Sequence, residues 1–151
     1  MPTNLKPGDK APAFSAPSWD GSTVKLSDFS GDQNVVLFFY SRDNTSGCTR
    51  EARALRDAAD KFEKRAAVVI GVSADGIESH ERFAANNELP FPLLADPDGK
   101  ISKAYGVLKD TGRSERATFL IGKNGSLLHV WPKVSITGHA DDIVERLDEL
   151  A

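Results

Sequence analysis

Two continuous apolar runs dominate the first half of the chain, at residues 35–40 and 66–72. Neither alternates with polar residues, and a strand that is apolar on both faces is typical of a sheet covered on both sides. Two further apolar segments, residues 117–121 and 127–131, flank Asn124-Gly125, a strong hairpin signal. The pattern therefore predicts a central sheet that contains these four strands.

Helices are predicted between and after these strands. Apolar residues recur at i, i+3, i+7 and i+10 from Ala52 to Phe62, which predicts one helix over residues 48–65. Shorter segments complete the pattern: helices over 78–87, 100–105 and 138–150, a short strand over 91–94, and a hairpin around Asp20-Gly21. Alternating strands and helices indicate an α/β sheet flanked by helices on both faces.

The composition narrows the function. The 151 residues carry a net charge of −3 and no concentrated run of Lys and Arg, so neither nucleic acid nor an anionic membrane is an expected partner. The first nine residues lack the apolar core of a signal peptide, and no apolar run approaches the length of a spanning helix. A single cysteine cannot form an intrachain disulfide, which makes a reducing, cytoplasmic location the expected one.

That cysteine, Cys48, lies in the polar segment Asn44-Thr45-Ser46-Gly47-Cys48-Thr49-Arg50-Glu51. A structural free cysteine usually has apolar neighbours. Here a predicted buried strand precedes the segment and a predicted helix follows it, which places Cys48 in the first helical turn. Free N–H groups and the helix dipole favour thiolate at such a position. We therefore expect Cys48 to be a reactive thiol whose charge is further stabilised by a nearby cation.

The neighbours of Cys48 leave several interpretations open. Thr45 is either a helix cap or a hydroxyl that binds the sulfur or a substrate oxygen. Glu51 is expected either to cap backbone N–H groups or to orient an arginine, and Arg50 to point to solvent. Because Glu51 occupies the third position after Cys48, the segment is not a Cys-x-x-Cys dithiol site.

The three histidines carry no recognisable motif. His80 is expected at a surface position of a helix, His129 to face solvent, and His139 to lie beside a helix start. No pair has the spacing of metal ligands, so we expect neither a metal nor another cofactor. A Cys/His hydrolase is chemically conceivable, but no histidine has a local context that supports it.

The segment from Phe39 to Ala52 resembles the active-site segment of peroxiredoxins, and most of all that of the bacterioferritin comigratory protein or peroxiredoxin Q subfamily. The resemblance runs from about Leu5 to the C-terminus. It is carried by further segments in the expected order: Gly71-Val72-Ser73, Ser79-His80, Leu89-Pro90-Phe91-Pro92-Leu93-Leu94, Asp96-Pro97-Asp98-Gly99-Lys100, Ala104-Tyr105-Gly106-Val107, Glu115-Arg116-Ala117-Thr118-Phe119-Leu120-Ile121 and Gly138-His139-Ala140.

The resemblance implies a thioredoxin-like α/β fold, with a central mixed sheet flanked by helices and an N-terminal β-hairpin extension, in one domain over residues 1–151. It implies thiol-dependent reduction of hydrogen peroxide and organic hydroperoxides. Cys48 matches the peroxidatic cysteine, Thr45 the threonine that binds peroxide, and Arg116 the active-site arginine. Supporting roles are implied for four residues of the same segment: Tyr40, Ser41, Gly47 and Glu51.

Three departures from the family pattern stand out. Ser41 replaces a proline that shields the sulfur and restricts the loop, which leaves rate and substrate preference open. Where many relatives carry a resolving cysteine, this chain has Arg53, and where others carry it in the helix after the second strand it has residues 83–85, Phe-Ala-Ala. The connection over residues 108–114 looks shorter than is common and is expected to open one side of the site.

These departures predict a one-Cys cycle in which an external thiol or a second chain resolves the sulfenic acid at Cys48. The expected donors are thioredoxin, glutaredoxin with glutathione, or a similar thiol, and the expected assembly is a monomer or weak homodimer. Two alternatives remain: a thioredoxin-fold redox sensor or binding module with weak turnover, and a stress-linked oligomeric interaction protein.

Overall fold

The computed structural model describes residues 3–150. Met1 and Pro2, on which the expectation of no signal peptide partly rests, lie outside the described residues, as does Ala151. Among the described residues, every helix is too short or too polar to cross a membrane.

The centre of the molecule is a five-stranded mixed sheet in the order β5-β4-β3-β6-β7. β3 runs parallel to β4 and β4 to β5, whereas β6 is antiparallel to both β3 and β7. A separate antiparallel hairpin precedes the sheet, formed by β1 and β2. The strands are β1 Ser15–Pro17, β2 Thr23–Lys25, β3 Asn34–Phe39, β4 Ala67–Ser73, β5 Leu93–Ala95, β6 Ala117–Ile121 and β7 Leu127–Trp131.

Five α-helices connect or follow the strands: α1 Ser46–Asp57, α2 Ala59–Lys64, α3 Ile77–Asn87, α4 Lys100–Ala104 and α5 His139–Glu149. The predicted α/β class, the mixed sheet and the N-terminal hairpin are therefore confirmed. The boundaries predicted for β6 and β7 agree residue for residue with those in the structure. The turn at Asn124-Gly125 separates the two strands.

The expectation of one helix over residues 48–65 is wrong. The helix is interrupted at Ala58, whose backbone (φ −93°, ψ 2°) departs from α-helical geometry. Hydrogen bonds still pass through the kink, from Ala58 N to Ala54 O and from Phe62 N to Ala58 O. Because of the kink, Ala58 is buried in the core and Ala59 is only partly buried. A strict helical period therefore assigns the core position to the wrong one of these two alanines.

The core has two layers because side chains alternate along β3. Val36 and Phe38 face the layer formed by α1, α2, α3 and α5, while Val35, Leu37 and Phe39 face the layer formed by the hairpin and α4. Both layers bury large side chains completely, which explains the uninterrupted apolar run of this strand. Cys48 belongs to the first layer, where α1 meets the end of β3.

Candidate active site

Cys48 lies in the first turn of α1, as predicted, with Thr45 at the N-cap position. Its side chain is only 1% exposed. The loop of residues 41–45, between β3 and α1, lies against the sulfur and is called the active-site loop below. The buried position and the polar loop together give Cys48 an environment that is closed to bulk solvent yet rich in hydrogen-bond donors.

Two side chains reach the sulfur, one from the active-site loop and one from a distant part of the chain. Arg116 Nη2 donates a hydrogen bond to Cys48 Sγ at 3.5 Å, and Ser41 Oγ lies 3.5 Å from the same atom. Arg116 directly precedes β6, and β6 pairs with β3 so that Ala117 lies opposite Phe39. The antiparallel register therefore brings Arg116 beside the end of β3, where the active-site loop begins.

Burial alone would raise the pKa of the Cys48 thiol, but its polar contacts outweigh burial and lower the pKa from the usual value. The groups that lower it are, from the largest effect to the smallest, the Thr45 hydroxyl, the Arg42 backbone, the Ser41 hydroxyl and the charge of Arg116. Each favours the charged form of the sulfur. The arrangement therefore stabilises the thiolate, which is the nucleophilic form of cysteine.

Thr45 occupies the N-cap position, but its side chain makes no capping hydrogen bond. Its hydroxyl instead donates to the Arg42 carbonyl oxygen at 3.1 Å. A hydroxyl has one hydrogen to donate, so it serves either that carbonyl or the Cys48 sulfur at any moment. The interpretation of Thr45 as a side-chain cap is therefore wrong, and its hydroxyl remains free to turn toward the sulfur.

Glu51 and Arg116 form a partly buried ion pair, with Nη1 of Arg116 donating to Oε1 of Glu51 at 2.9 Å. Of the two interpretations of Glu51, orientation of an arginine is the one the contacts support. Glu51 is 1% exposed, and burial raises its pKa to about 7 despite the opposing charge of Arg116. Its second oxygen, Oε2, has no hydrogen-bond partner among residues 3–150.

Gly47 and Tyr40, both predicted to support the site, hold different positions. A Cβ on Gly47 would lie 3.2 Å from Arg116 Nη2 and 3.4 Å from Ile136 Cδ1, so the glycine leaves room for the arginine. The Tyr40 hydroxyl points away from the sulfur and donates to Asp43 Oδ1 at 2.7 Å. Tyr40 therefore supports the active-site loop through Asp43 and does not contact the sulfur with its hydroxyl.

Arg53, which stands at one of the positions where the family resemblance places a resolving cysteine, takes part in a hydrogen-bonded link between two helices. Arg53 Nε donates to Asn87 Oδ1 at 2.8 Å, and Arg56 Nη1 donates to the Asn87 carbonyl at 2.8 Å. Both bonds join α1 to the end of α3. The connection over residues 108–114 also reaches the active-site loop, because Arg113 Nη1 donates to the Ser41 carbonyl at 3.4 Å.

The expectation that His80 lies at a surface position is wrong. His80 is fully buried on the inner face of α3, and it bonds Asp43 and the Leu94 carbonyl. His129 is half-buried, with its ring 4.4 Å from that of Trp131. His139 begins α5, as expected, and its buried Nε2 lies 2.9 Å from the Thr118 hydroxyl.

Sequence reasoning missed the buried polar cluster behind the active-site loop. Asp43, Asp75 and His80 bring ligand-type atoms within 4.8 Å of one another. The usable signal was helical periodicity, because His80 shares the buried face of α3 with Phe83, Ala84 and Asn87. A polar residue on such a face requires a buried partner, and its identity depends on the fold.

The comparisons with known proteins agree with this geometry. The model of the AhpC/TSA family matches residues 7–130. The chain is 40% identical over 151 residues to a putative peroxiredoxin Bcp of Coxiella burnetii, covering 95% of this chain and 99% of that protein.

Solved structures agree as well. The crystal structure of peroxidoxin BcpB from Mycobacterium tuberculosis superposes with a TM-score of 0.92 at 33% identity, covering 98% of this chain and 99% of that one. A structure of the Xanthomonas campestris bacterioferritin comigratory protein, concerned with its alkyl peroxide reduction activity, gives a TM-score of 0.86 at 31% identity over 91% of each chain. The chain thus belongs to the AhpC/TSA family, and within it to the peroxiredoxins of the Bcp and peroxiredoxin Q type.

Proposed function

We propose that this chain is a thiol-dependent peroxidase that reduces hydrogen peroxide and organic hydroperoxides through Cys48. One observation carries the proposal. Cys48 lies in the first turn of α1, its sulfur accepts a hydrogen bond from Arg116, and groups of the active-site loop lower the pKa of its thiol. A stabilised thiolate beside a fixed cation suits attack on a small substrate whose departing atom gains negative charge.

The proposed reaction begins when the Cys48 thiolate attacks one peroxide oxygen. A sulfur–oxygen bond forms as the oxygen–oxygen bond breaks, and the second oxygen leaves with the electron pair and takes up a proton. The products are a cysteine sulfenic acid and water or an alcohol. Arg116 and Thr45 stabilise the charge on the departing oxygen, while Glu51 holds Arg116 in place.

The second half of the cycle uses an external thiol, because Cys48 is the only cysteine of the chain. The donor thiol displaces the sulfenic oxygen as water and forms a mixed disulfide, and a second thiol then releases reduced Cys48. Thioredoxin, or glutaredoxin with glutathione, is the proposed donor class. The single cysteine also supports a cytoplasmic location, and we expect a monomer or weak homodimer with no nucleic-acid or membrane partner.

Peroxide consumption with dithiothreitol as the donor tests the proposal. The wild-type protein should reduce many equivalents of peroxide, and Cys48→Ser should abolish turnover. Thr49→Ser, a similarly small change one position away, serves as the matched control and should retain it. Turnover that survives Cys48→Ser, or its absence from the wild type, would refute the assignment.

A second candidate function is a redox sensor with weak turnover. It is favoured by Ser41 in place of the family proline and by the single cysteine. Repeated peroxide additions in the presence of dithiothreitol separate the two functions, since an enzyme consumes peroxide after each addition and a sensor oxidises once. Size measurements on reduced and oxidised protein test the oligomeric interaction alternative.

A further inference from the structure

A buried hydrogen-bond network joins the active-site loop to α3 and β5. Asp43, 7% exposed, accepts hydrogen bonds from the hydroxyls of Tyr40 and Ser79, each at 2.7 Å. His80 Nδ1 lies 2.8 Å from Asp43 Oδ2, and His80 Nε2 lies 3.0 Å from the Leu94 carbonyl oxygen. The network therefore anchors one residue of the loop to two separate elements of the fold.

Both ring nitrogens of His80 take part in the network. The Leu94 carbonyl can only accept, so Nε2 must carry a hydrogen. Nδ1 lies 2.8 Å from Asp43 Oδ2, close enough for a hydrogen bond between the imidazole and the carboxyl group. His80 therefore joins Asp43 to β5.

Asp75 holds the backbone of the same loop residue. Its Oδ2 accepts from the Asp43 backbone N–H at 2.8 Å and from the Ser73 hydroxyl at 2.7 Å. Asp43 is consequently held twice, through its backbone by Asp75 and through its side chain by His80.

The held residue lies between groups that contact the sulfur. Ser41 Oγ lies 3.5 Å from the sulfur, and Thr45 and the Arg42 backbone, on either side of Asp43, lower the pKa of the Cys48 thiol. His80 itself makes no hydrogen bond to Cys48 among the described contacts. We propose that His80 is a positioning residue: through its buried contact with Asp43, it holds the active-site loop so that its polar groups meet the Cys48 sulfur. The catalytic consequence of this role rests on the proposed peroxidase function, whereas the positioning of the loop does not.

The first test is the ring-nitrogen NMR spectrum of histidine-labelled protein. The His80 signals, identified by their loss in His80→Gln, should shift in Asp43→Asn because the hydrogen bond at Nδ1 changes. The signals of His139, which lies outside the network, should stay in place. His80 signals that are unchanged in folded Asp43→Asn overturn the pairing.

The second test measures the rate of Cys48 alkylation by iodoacetamide against pH, which requires no peroxide turnover. In His80→Gln the rate at pH 7 should fall about threefold or more, the size expected when one hydrogen bond to the sulfur is loosened. His129→Gln, a histidine change outside the network, should leave the profile unchanged. An unchanged profile in folded His80→Gln overturns the positioning role.

Two further measurements keep the proposal testable. If His80→Gln does not fold, Ser79→Ala removes a single donor from Asp43 and must shift the alkylation profile in the same direction by less; no shift overturns the proposal. Wild-type protein that shows the His80–Asp43 pairing and the alkylation profile but no peroxide turnover would contradict the proposed function while leaving the loop network intact.

Discussion

Arg116 Nη2 lies 3.5 Å from Cys48 Sγ although 68 positions separate the two residues. The same guanidinium donates to Glu51, so one cation bridges a nucleophilic sulfur and a buried carboxylate. Burial alone would raise the pKa of a cysteine that is 1% exposed, and the charge of Arg116 adds to the larger effects of Thr45, the Arg42 backbone and Ser41 that lower it. Arg116 therefore both stabilises charge at the sulfur and links β6 to α1 through Glu51.

Arg116→Ala should slow the reaction of Cys48 with hydrogen peroxide by about 100-fold or more, the usual effect of removing one charge-stabilising donor. The rate of sulfenic acid formation, followed by rapid mixing and intact mass, measures this effect. Arg50→Ala is the matched control, because Arg50 is exposed on the same helical turn as Cys48. If Arg116→Ala reacts as fast as the wild type while remaining folded, its proposed role is wrong.

The strands of the central sheet were largely predictable, because apolar runs and the Asn124-Gly125 turn mark them locally. The role of Arg116 was not, since a charge before a strand is usually a surface charge. What places Arg116 at the site is the pairing of Phe39 with Ala117, and register between strands so distant in sequence depends on the whole sheet. In this case the family resemblance supplied what local pattern could not.

Two errors have a common physical origin. His80 and the kink at Ala58 both depend on how a helix meets the sheet, which single-helix periodicity does not describe. His80 can lie on the buried face of α3 because Asp43 and the Leu94 carbonyl provide its hydrogen-bond partners. A buried polar group is predictable from sequence only when its partner is also predictable.

Ser41→Ala should reduce the thiolate fraction of Cys48, because the Ser41 hydroxyl is one of the groups that lower the pKa of the sulfur. The pH midpoint of iodoacetamide alkylation should therefore move upward. Ser41→Pro restores the family residue but also lacks the hydroxyl, so it should move the midpoint in the same direction. A Ser41→Pro midpoint below that of the wild type would show that loop restriction outweighs the hydrogen bond.

Glu51→Gln should change how stability depends on pH. Burial raises the folded-state pKa of Glu51 from 4.5 to about 7, so the folded protein holds this proton more tightly than the unfolded chain. Its stabilising contribution is complete below about pH 4.5 and disappears as the pH rises through about 7. The shift corresponds to roughly 3 kcal/mol at most.

Urea unfolding of the wild type and Glu51→Gln at pH 4.5, 6 and 8 measures this effect. The variant keeps the shape of the side chain without the titrating proton, so the stability difference isolates Glu51 from other carboxylates. Relative to the wild type, Glu51→Gln should gain stability as the pH rises across this range. A difference that is constant with pH would mean that Glu51 ionises normally in the folded state.

Gly47→Ala should separate stability from activity. Alanine is favoured over glycine inside a helix by up to about 1 kcal/mol, so the start of α1 should not be weakened by the change. The added Cβ, however, would lie 3.2 Å from Arg116 Nη2 and 3.4 Å from Ile136 Cδ1, closer than most such contacts. The Arg116 guanidinium, which contacts both Glu51 and Cys48, must then give by a few tenths of an ångström, which disturbs its placement at the sulfur. We therefore expect an unchanged or higher urea midpoint together with slower sulfenic acid formation.

Gly76→Ala is a suitable control, since a Cβ there meets no atom within 4 Å, and it should leave the peroxide rate unchanged. If Gly47→Ala keeps the full peroxide rate, the position of Arg116 is less critical to the chemistry than its contact with Cys48 implies.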